Sequence, residues 1–243
     1  MAREAAPGFS FDAFQALGHA FRFEEFQAVA PVDGRKVWEF VLDRNQENIS
    51  VKRRDVALEN LERIFIATFR LANTLGFNAM TLRDLCRETG LSMGGLYGYI
   101  DGKDRLAFMI EDVVRHLSEY FPVWFGHIEA PLQQLEARLR AYLYFSELLH
   151  PWFYFVFMES RTLSQEQRTV AKDTELGTQH HISAVLEQAA RLPSAEAYLL
   201  AAHCMALVQE WQVKRWKFRT ANVHVDVFAD SVLDLIRARF PNN

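Results

Sequence analysis

The segment Thr81-Leu-Arg-Asp-Leu-Cys-Arg-Glu-Thr-Gly-Leu-Ser-Met-Gly-Gly-Leu-Tyr-Gly-Tyr-Ile-Asp-Gly-Lys103 gathers residues whose types and spacing suit a polyanionic partner. Thr81 and Ser92 each precede a run with helical spacing, so each offers a hydroxyl at a helix N-terminus, where unpaired backbone N–H groups favour a phosphate. Arg83 and Lys103 carry charge that neutralises phosphate, and the planar fork of Arg83 could alternatively read a guanine edge. Tyr97 and Tyr99 can hydrogen-bond phosphate or meet a thymine methyl, while Met93, Gly94 and Gly95 open the run that would face the bases. Ahead of this segment, Lys52, Arg53 and Arg54 form a basic run suited to the DNA backbone or minor groove; a solvated helix start is the competing reading.

Such side chains act together only if two short helices hold them. Leu82, Leu85 and Cys86 share one face of the first, Gly90 supplies the positive φ of a tight bend, and Leu91 plugs the corner. Leu96 and Ile100 anchor the second. This pattern predicts a helix-turn-helix, whose second helix enters the major groove with its N-terminal residues against base edges. Leu61, Ile64, Phe65, Thr68, Phe69 and Ala72 predict a preceding helix of about twenty residues, stopped at Gly76.

The rest of the 243 residues reads as helix too, because apolar residues recur at spacings of three and four between sparse Gly and Pro. Amphipathic pieces are expected over Phe9 to Phe26 and Lys36 to Asp43, and a longer helix from Asp101 to about Phe121. Pro131 should open the next, His150-Pro151 should break it, and further helices should cover Trp152–Arg161, Gln165–Arg191, Ser194–Arg219 and Val225–Phe240. The fold class is all-α.

The formal net charge of -4 argues against indiscriminate coating of nucleic acid, but a site-specific binder needs only one positive face. Residues 51–105 are the only third of the chain in which Lys and Arg outnumber Asp and Glu, 9 against 7. The two cysteines, Cys86 and Cys204, lie far apart and form no CxxC pair, which fits a reducing cytoplasm. No apolar run is long enough for a membrane span, and MAREAAPGF lacks the layout of a signal peptide. His116, His127, His150, His180, His181 and His203 show no metal-ligand spacing, and a phosphate loop, a Gly-x-Ser-x-Gly elbow and an activated cysteine are all missing. Neither a metal, a cofactor nor an enzyme is expected.

The stretch from Asp55 to Leu106 resembles the DNA-binding domain of the tetracycline-repressor (TetR) family, through Thr81-x-Arg83-x-Leu85, Gly90-Leu91-Ser92, Leu96-Tyr97, Tyr99-Ile100 and Lys103-Asp104 with Leu106. Gly95 stands where the family usually has Ser or Thr, and Gly98 where it usually has a larger residue. Three glycines thus sit in the recognition helix, leaving fewer side chains to read bases, and each weakens a helix by roughly 1 kcal/mol relative to Ala. The resemblance implies an N-terminal helix-turn-helix domain and a C-terminal helical domain that dimerises and encloses an effector. That suggests a division into residues 1–50 as an extension of unknown role, 51–106 as the DNA-binding domain, and 107–243 as the effector and dimerisation domain.

It further implies a ligand-responsive regulator, usually a repressor, whose partners are a palindromic duplex operator, a small hydrophobic effector and a second copy of the chain. A helical binding module without a role at DNA is the alternative. Phe121, Trp124, Phe125, Tyr142, Phe145, Phe153, Phe157, Met158 and Trp211 could line an effector pocket or simply fill the core. Tyr198, Ala202, Met205, Val227, Val232, Leu235 and Ile236, on the last two helices, could close a four-helix bundle between subunits or pack within one. Glu159-Ser-Arg161, Leu163-Ser-x-Glu-x-Arg168 and Glu210-Trp211 look weakly like family members that respond to acyl-coenzyme A thioesters.

Overall fold

The computed structural model describes residues 11–159 and 164–240, and its described residues form helices and turns without strands. In chain order a 3-10 turn, Asp12–Ala16, precedes α1 (Phe23–Val29), α2 (Arg35–Arg44), α3 (Arg54–Leu75), α4 (Leu82–Thr89), α5 (Met93–Tyr97) and α6 (Lys103–Glu119). A second 3-10 turn, Phe121–Val123, leads to α7 (Pro131–Leu148), α8 (His150–Glu159), α9 (Gln165–Ala190), α10 (Ser194–Thr220) and α11 (Val225–Arg237). None of these is long and apolar enough to cross a membrane.

The chain divides into two compact units, and residues 11–50 are shared between them. One unit takes residues 31–115 together with 155–159 and 164–171. Its centre is α3, which buries Leu58, Leu61, Ile64, Phe65, Phe69 and Ala72 on the stripe the sequence predicts and ends at Gly76, at φ 81°. Its α2 packs against α3, with the Trp38 and Phe65 rings 5.8 Å apart. A second anchor ties α2 to α6: the Arg44 guanidinium binds Asp112 through both carboxylate oxygens, Nη2 to Oδ1 at 2.8 Å. Arg105 donates to Asn45 at 2.7 Å from the same helix. Buried charges are tolerable only in such paired arrangements.

The other unit takes residues 11–30, 116–154 and 172–240. Every residue of α7 from Ala137 to Ser146 is buried, the mark of a helix surrounded by others rather than lying on a surface. Helices α1, α10 and α11 all pack on it. Phe14, Phe21 and Phe26 stack into this core: Phe14 lies parallel to Phe125 at 4.9 Å, Phe21 to Phe125 at 5.1 Å, and Phe26 meets Phe145 edge-on at 4.8 Å. Arg140 is buried beside them, bonded to Tyr144 at 3.1 Å and Asp230 at 2.8 Å, while Arg22 also reaches Asp230 at 2.5 Å. Residues 11–30 are therefore a structural part of this unit.

Helix boundaries differ from the sequence reading in several places, among them α11, which ends at Arg237 rather than Phe240. Phe9 lies outside the described residues, and the expected helix to Phe26 is instead a 3-10 turn and α1 joined by an extended stretch at Leu17. The buried residues Phe14, Leu17, Phe21 and Phe26 are separated by three, four and five positions, a widening gap that no single helical face can follow. Helix α7 does end just before His150-Pro151, at Leu148, but α8 begins at His150 rather than at Trp152, since proline in a first turn needs no N–H partner. Helix α5 stops at Tyr97, three residues short of Ile100, and the chain continues in turns accepted by Gly95 and Leu96. A non-helical residue, Lys214 at φ −123°, kinks α10.

Candidate nucleic-acid interface

Local sequence fixes both short helices. Thr81 and Asp84 form a reciprocal cap on α4: the Thr81 Oγ1 accepts from the Asp84 amide at 3.2 Å and donates to Asp84 Oδ2 at 2.6 Å, and the Thr81 amide donates to the same carboxylate at 3.0 Å. These bonds, led by the Thr81 hydroxyl, hold the Asp84 carboxyl below its ordinary range. Gly90 ends α4 in the left-handed region at φ 72°, a conformation that penalises any side chain. Ser92 then caps α5, its Oγ accepting from the Gly95 amide at 3.0 Å.

Packing onto α3 holds the pair rigid. Leu85, Leu96, Tyr99 and Ile100 are buried. The Tyr99 hydroxyl accepts from Asn60 at 2.9 Å and donates to the Val56 carbonyl at 3.4 Å; burial raises its pKa. The Arg63 guanidinium donates to the Thr89 carbonyl, and Arg70 pairs with Glu88 at 2.6 Å. The outcome is a five-residue helix, too short to persist alone, presented on a fixed platform.

Thr81, Arg83, Ser92, Gly94 and Tyr97 are exposed, with Met93 and Gly95 partly so. Arg83 and Lys52 have no hydrogen bond or ion pair among the described residues, whereas Arg53 pairs with Asp55 at 2.8 Å and Arg54 with Asp43 at 2.6 Å. Two residues sit elsewhere than expected. Tyr99 is 2 % exposed, because its ring fills the core beneath α5 and its hydroxyl is used on α3. Lys103 points its ammonium at the turn after α3, donating to the carbonyls of Phe77 at 3.1 Å, Asn78 at 2.6 Å and Met80 at 3.3 Å. Its donors are thus directed at backbone carbonyls of its own chain rather than outward. One contact had no sequence signal: the Ser50 amide donates to the Gly98 carbonyl at 3.0 Å.

In the other unit, Phe121, Trp124, Phe125, Tyr142, Phe145, Phe153 and Trp211 are all buried. The space beside Trp124, Phe125 and Phe145 is filled by Phe14, Phe21 and Phe26, which the sequence reading assigned no partner. Phe157 and Met158 are exposed instead, and belong to the unit of the helix-turn-helix. An open cleft of about 560 Å³ lies elsewhere, between His19, the start of α7, Ala189 of α9 and the end of α11, and none of those nine residues lines it. Its wall is mostly apolar, with Leu132, Leu135, Leu139, Ile236 and Phe240, and is stiffened by a forked pair in which Arg237 donates to Glu136 at 2.9 and 2.7 Å.

On α10 and α11, Tyr198, Val227 and Leu235 are exposed and Ala202 is half-buried, but Met205, Val232 and Ile236 turn inward. These three lie on the inner faces of their helices and belong to the subunit's own core. Leu199 and Ala206 extend the outward face of α10. Of the acyl-thioester resemblance, Ser160, Arg161 and Leu163 lie outside the described residues. Glu159 accepts from the Phe77 amide at 3.4 Å, and Glu210 pairs with Lys214 at 3.0 Å and with Lys217.

No family model matches the chain. It is 21% identical over 164 residues to the HTH-type transcriptional regulator HbdR of Aromatoleum sp. (strain CIB), a match spanning 66% of this chain and 72% of that protein. Among solved structures it is similar to the TetR family transcriptional regulator PfmR from Thermus thermophilus, at a TM-score of 0.60 and 20% identity over 72% of this chain and 94% of that one. A bacterial regulatory protein in the TetR family from Rhodococcus RHA1 gives the same TM-score and identity over 73% and 94%. The transcriptional regulator FadR from Bacillus subtilis, in complex with stearoyl-CoA, gives 0.54 at 14% identity over 72% and 96%. With an all-helical course, a helix-turn-helix seated on α3 and long helices following it, the chain has the fold of the TetR-family transcriptional regulators.

Proposed function

We propose that this protein is a DNA-binding transcriptional regulator whose α4–α5 unit reads a palindromic operator, with a second copy of the chain supplying the other half-site. The observation that carries the reading is the exposed, capped face of α5, where Ser92, Gly94 and Tyr97 stand clear of a helix pinned from beneath by Leu96, Tyr99 and Ile100. Residues 51–106 are assigned to DNA binding and 107–243 to effector binding and dimerisation, in a protein working in the cytoplasm. Repression relieved by ligand is the sense we assign.

For the effector, the aromatic set around Trp124 is a poor candidate because its neighbours already occupy the space. The cleft beside Leu135 and Ile236 has a size typical of small-molecule sites and a largely apolar wall, so it is the place assigned to a hydrophobic ligand. A fatty acid or its acyl thioester is the class to try first, since the FadR structure holds stearoyl-CoA. Binding would bias an equilibrium between states of different operator affinity, by as much as its own affinities for the two differ.

Selection of bound duplexes from a randomised pool, followed by anisotropy titration, tests the DNA assignment. A recovered palindrome bound at least about a thousandfold more tightly than random duplex supports it; recovery of no enriched sequence rejects it. Thermal-shift measurements with saturating fatty acids and acyl thioesters test the effector class, and a melting temperature unmoved by any of them removes that class.

A further inference from the structure

The Gly98 carbonyl, at the C-terminal end of α5, accepts from the Ser50 amide at 3.0 Å and from the Ser50 hydroxyl at 3.4 Å. A Cβ added at Gly98 would lie 3.2 Å from the Gly95 carbonyl, 3.4 Å from Ser50 Oγ and 3.4 Å from Val51 Cγ2. The backbone here does not demand glycine, since φ is −69°. What keeps residue 98 small is space: a methyl group would press on the Gly95 carbonyl and just touch the segment 50–51 at ordinary contact distance, and any longer side chain would run into that segment. Residues before α3 and the end of the recognition helix are thus a single hydrogen-bonded piece, and the segment lies where a side chain longer than a methyl group would extend from residue 98.

Two residues on stands Lys52, exposed and without a hydrogen bond or ion pair among the described residues. Its neighbours Arg53 and Arg54 have carboxylates at hand; it alone of the run keeps its charge unspent. Two residues of extended chain span at most about 7 Å, so an ammonium on a four-carbon stem at position 52 stays within reach of whatever lies against the end of α5.

We propose that Ser50, Val51 and Lys52 form a second strip of the DNA-binding surface, positioned by Gly98, and that Lys52 contacts a phosphodiester flanking the groove that α5 enters. This rests on the DNA-binding reading above. Gly98 and Ser50 are positioning residues, and Lys52 is the one that touches the duplex.

The experiment is an anisotropy titration of the full-length protein against its selected duplex over a range of salt concentrations. A lost phosphate contact lowers the slope of log affinity against log salt by about 0.9 and weakens cognate and random duplexes alike. Lys52→Gln, a surface change that leaves the core untouched, is expected to show that slope change with a loss of roughly 3- to 10-fold. Gly98→Val, whose methyl groups extend beyond that Cβ into Ser50 and Val51, displaces the segment and should give a similar loss, while in the Lys52→Gln background it should add less than about 2-fold, because both act through one contact. An unchanged slope in Lys52→Gln overturns this proposal alone, as do losses that multiply in the double variant. Wild-type protein that binds duplex with no salt dependence at all overturns the regulator reading itself. Should Gly98→Val fail to fold by circular dichroism, the slope of Lys52→Gln still decides.

Discussion

The guanidinium of Arg138 donates to Nε2 of His181 at 2.7 Å, and because arginine can only donate, the imidazole proton must reside on Nδ1. Arg138 is buried, and its other bonds go to the carbonyls of Trp124 at 2.8 Å and Pro122 at 2.6 Å. Burial alone brings its pKa down to about 10. Burial first, and the arginine charge second, lower that of His181 to about 4. In the folded protein this histidine is a neutral acceptor.

Its titration predicts a definite pH dependence. Unfolded, His181 takes a proton near pH 6.5; folded, it resists until about pH 4. Between those values the unfolded chain binds more protons, so stability is fully present above about pH 6.5 and declines as pH falls towards 4. Urea midpoints measured at about pH 7, 6 and 5 should drop progressively, and His181→Gln, which keeps an acceptor without a titrating ring, should flatten the decline. His150, also lowered chiefly by burial, contributes in the same sense, so some slope will persist. An identical slope in wild type and variant would show that His181 does not carry the effect.

Lys103 gives a prediction that separates structure from DNA contact. Its three bonds to Phe77, Asn78 and Met80 carbonyls staple the turn between α3 and α4. Hydrogen bonds to a charged group contribute about 1.5–3 kcal/mol, and water can replace part of that at a half-buried site, so Lys103→Met should cost about 1–2 kcal/mol in a denaturant titration. At a temperature where the variant is folded, its salt slope on DNA should match the wild type, in contrast to Lys52→Gln. A reduced slope would return Lys103 to the phosphate contacts.

The contrast between these lysines shows what the sequence could convey. Periodicity placed α3 to within about two residues, and Thr81, Gly90 and Ser92 marked the caps, because caps and apolar stripes are local properties. Where a long side chain goes is not local. Lys103 and Tyr99 fit the pattern of DNA contacts, and only the packing of α3 shows that one faces carbonyls and the other Asn60. Likewise Trp124 and Phe125 looked available as pocket walls, since nothing in the spacing of Phe14, Phe21 and Phe26 revealed that a segment about a hundred residues away fills the space. On α10 and α11, helical spacing identified the apolar residues but not which of the two faces meets α7.

Gly94 tests how closely α5 approaches its target. Its backbone dihedrals need no glycine, and a Cβ there would meet nothing within 4 Å. Replacing it by Ala should therefore stabilise the protein by up to about 1 kcal/mol through the unfolded chain. If bases or phosphates come against the α5 backbone, the same methyl group should weaken operator binding by about tenfold or more. The expected outcome of Gly94→Ala is a higher melting temperature with a lower affinity. A gain in both would place the DNA further from the helix.

Subunit association can be probed by setting an outward residue against an inward one. Leu235 is 62 % exposed and Val227 60 %, which with Leu199 and Ala206 leaves small and apolar residues on the outer faces of α10 and α11. Met205, by contrast, is 2 % exposed and sits in the subunit core. Leu235→Asp puts a charge on the proposed interface without removing any core atom, so it should yield monomers by light scattering at micromolar concentration while helix content is kept. Met205→Ala should cost about 2–5 kcal/mol whatever the oligomeric state, as truncations in a packed core do. If the wild type is dimeric and Leu235→Asp remains so with unchanged affinity, the two subunits meet through another surface, and the spacing of the paired α5 helices must be set there instead.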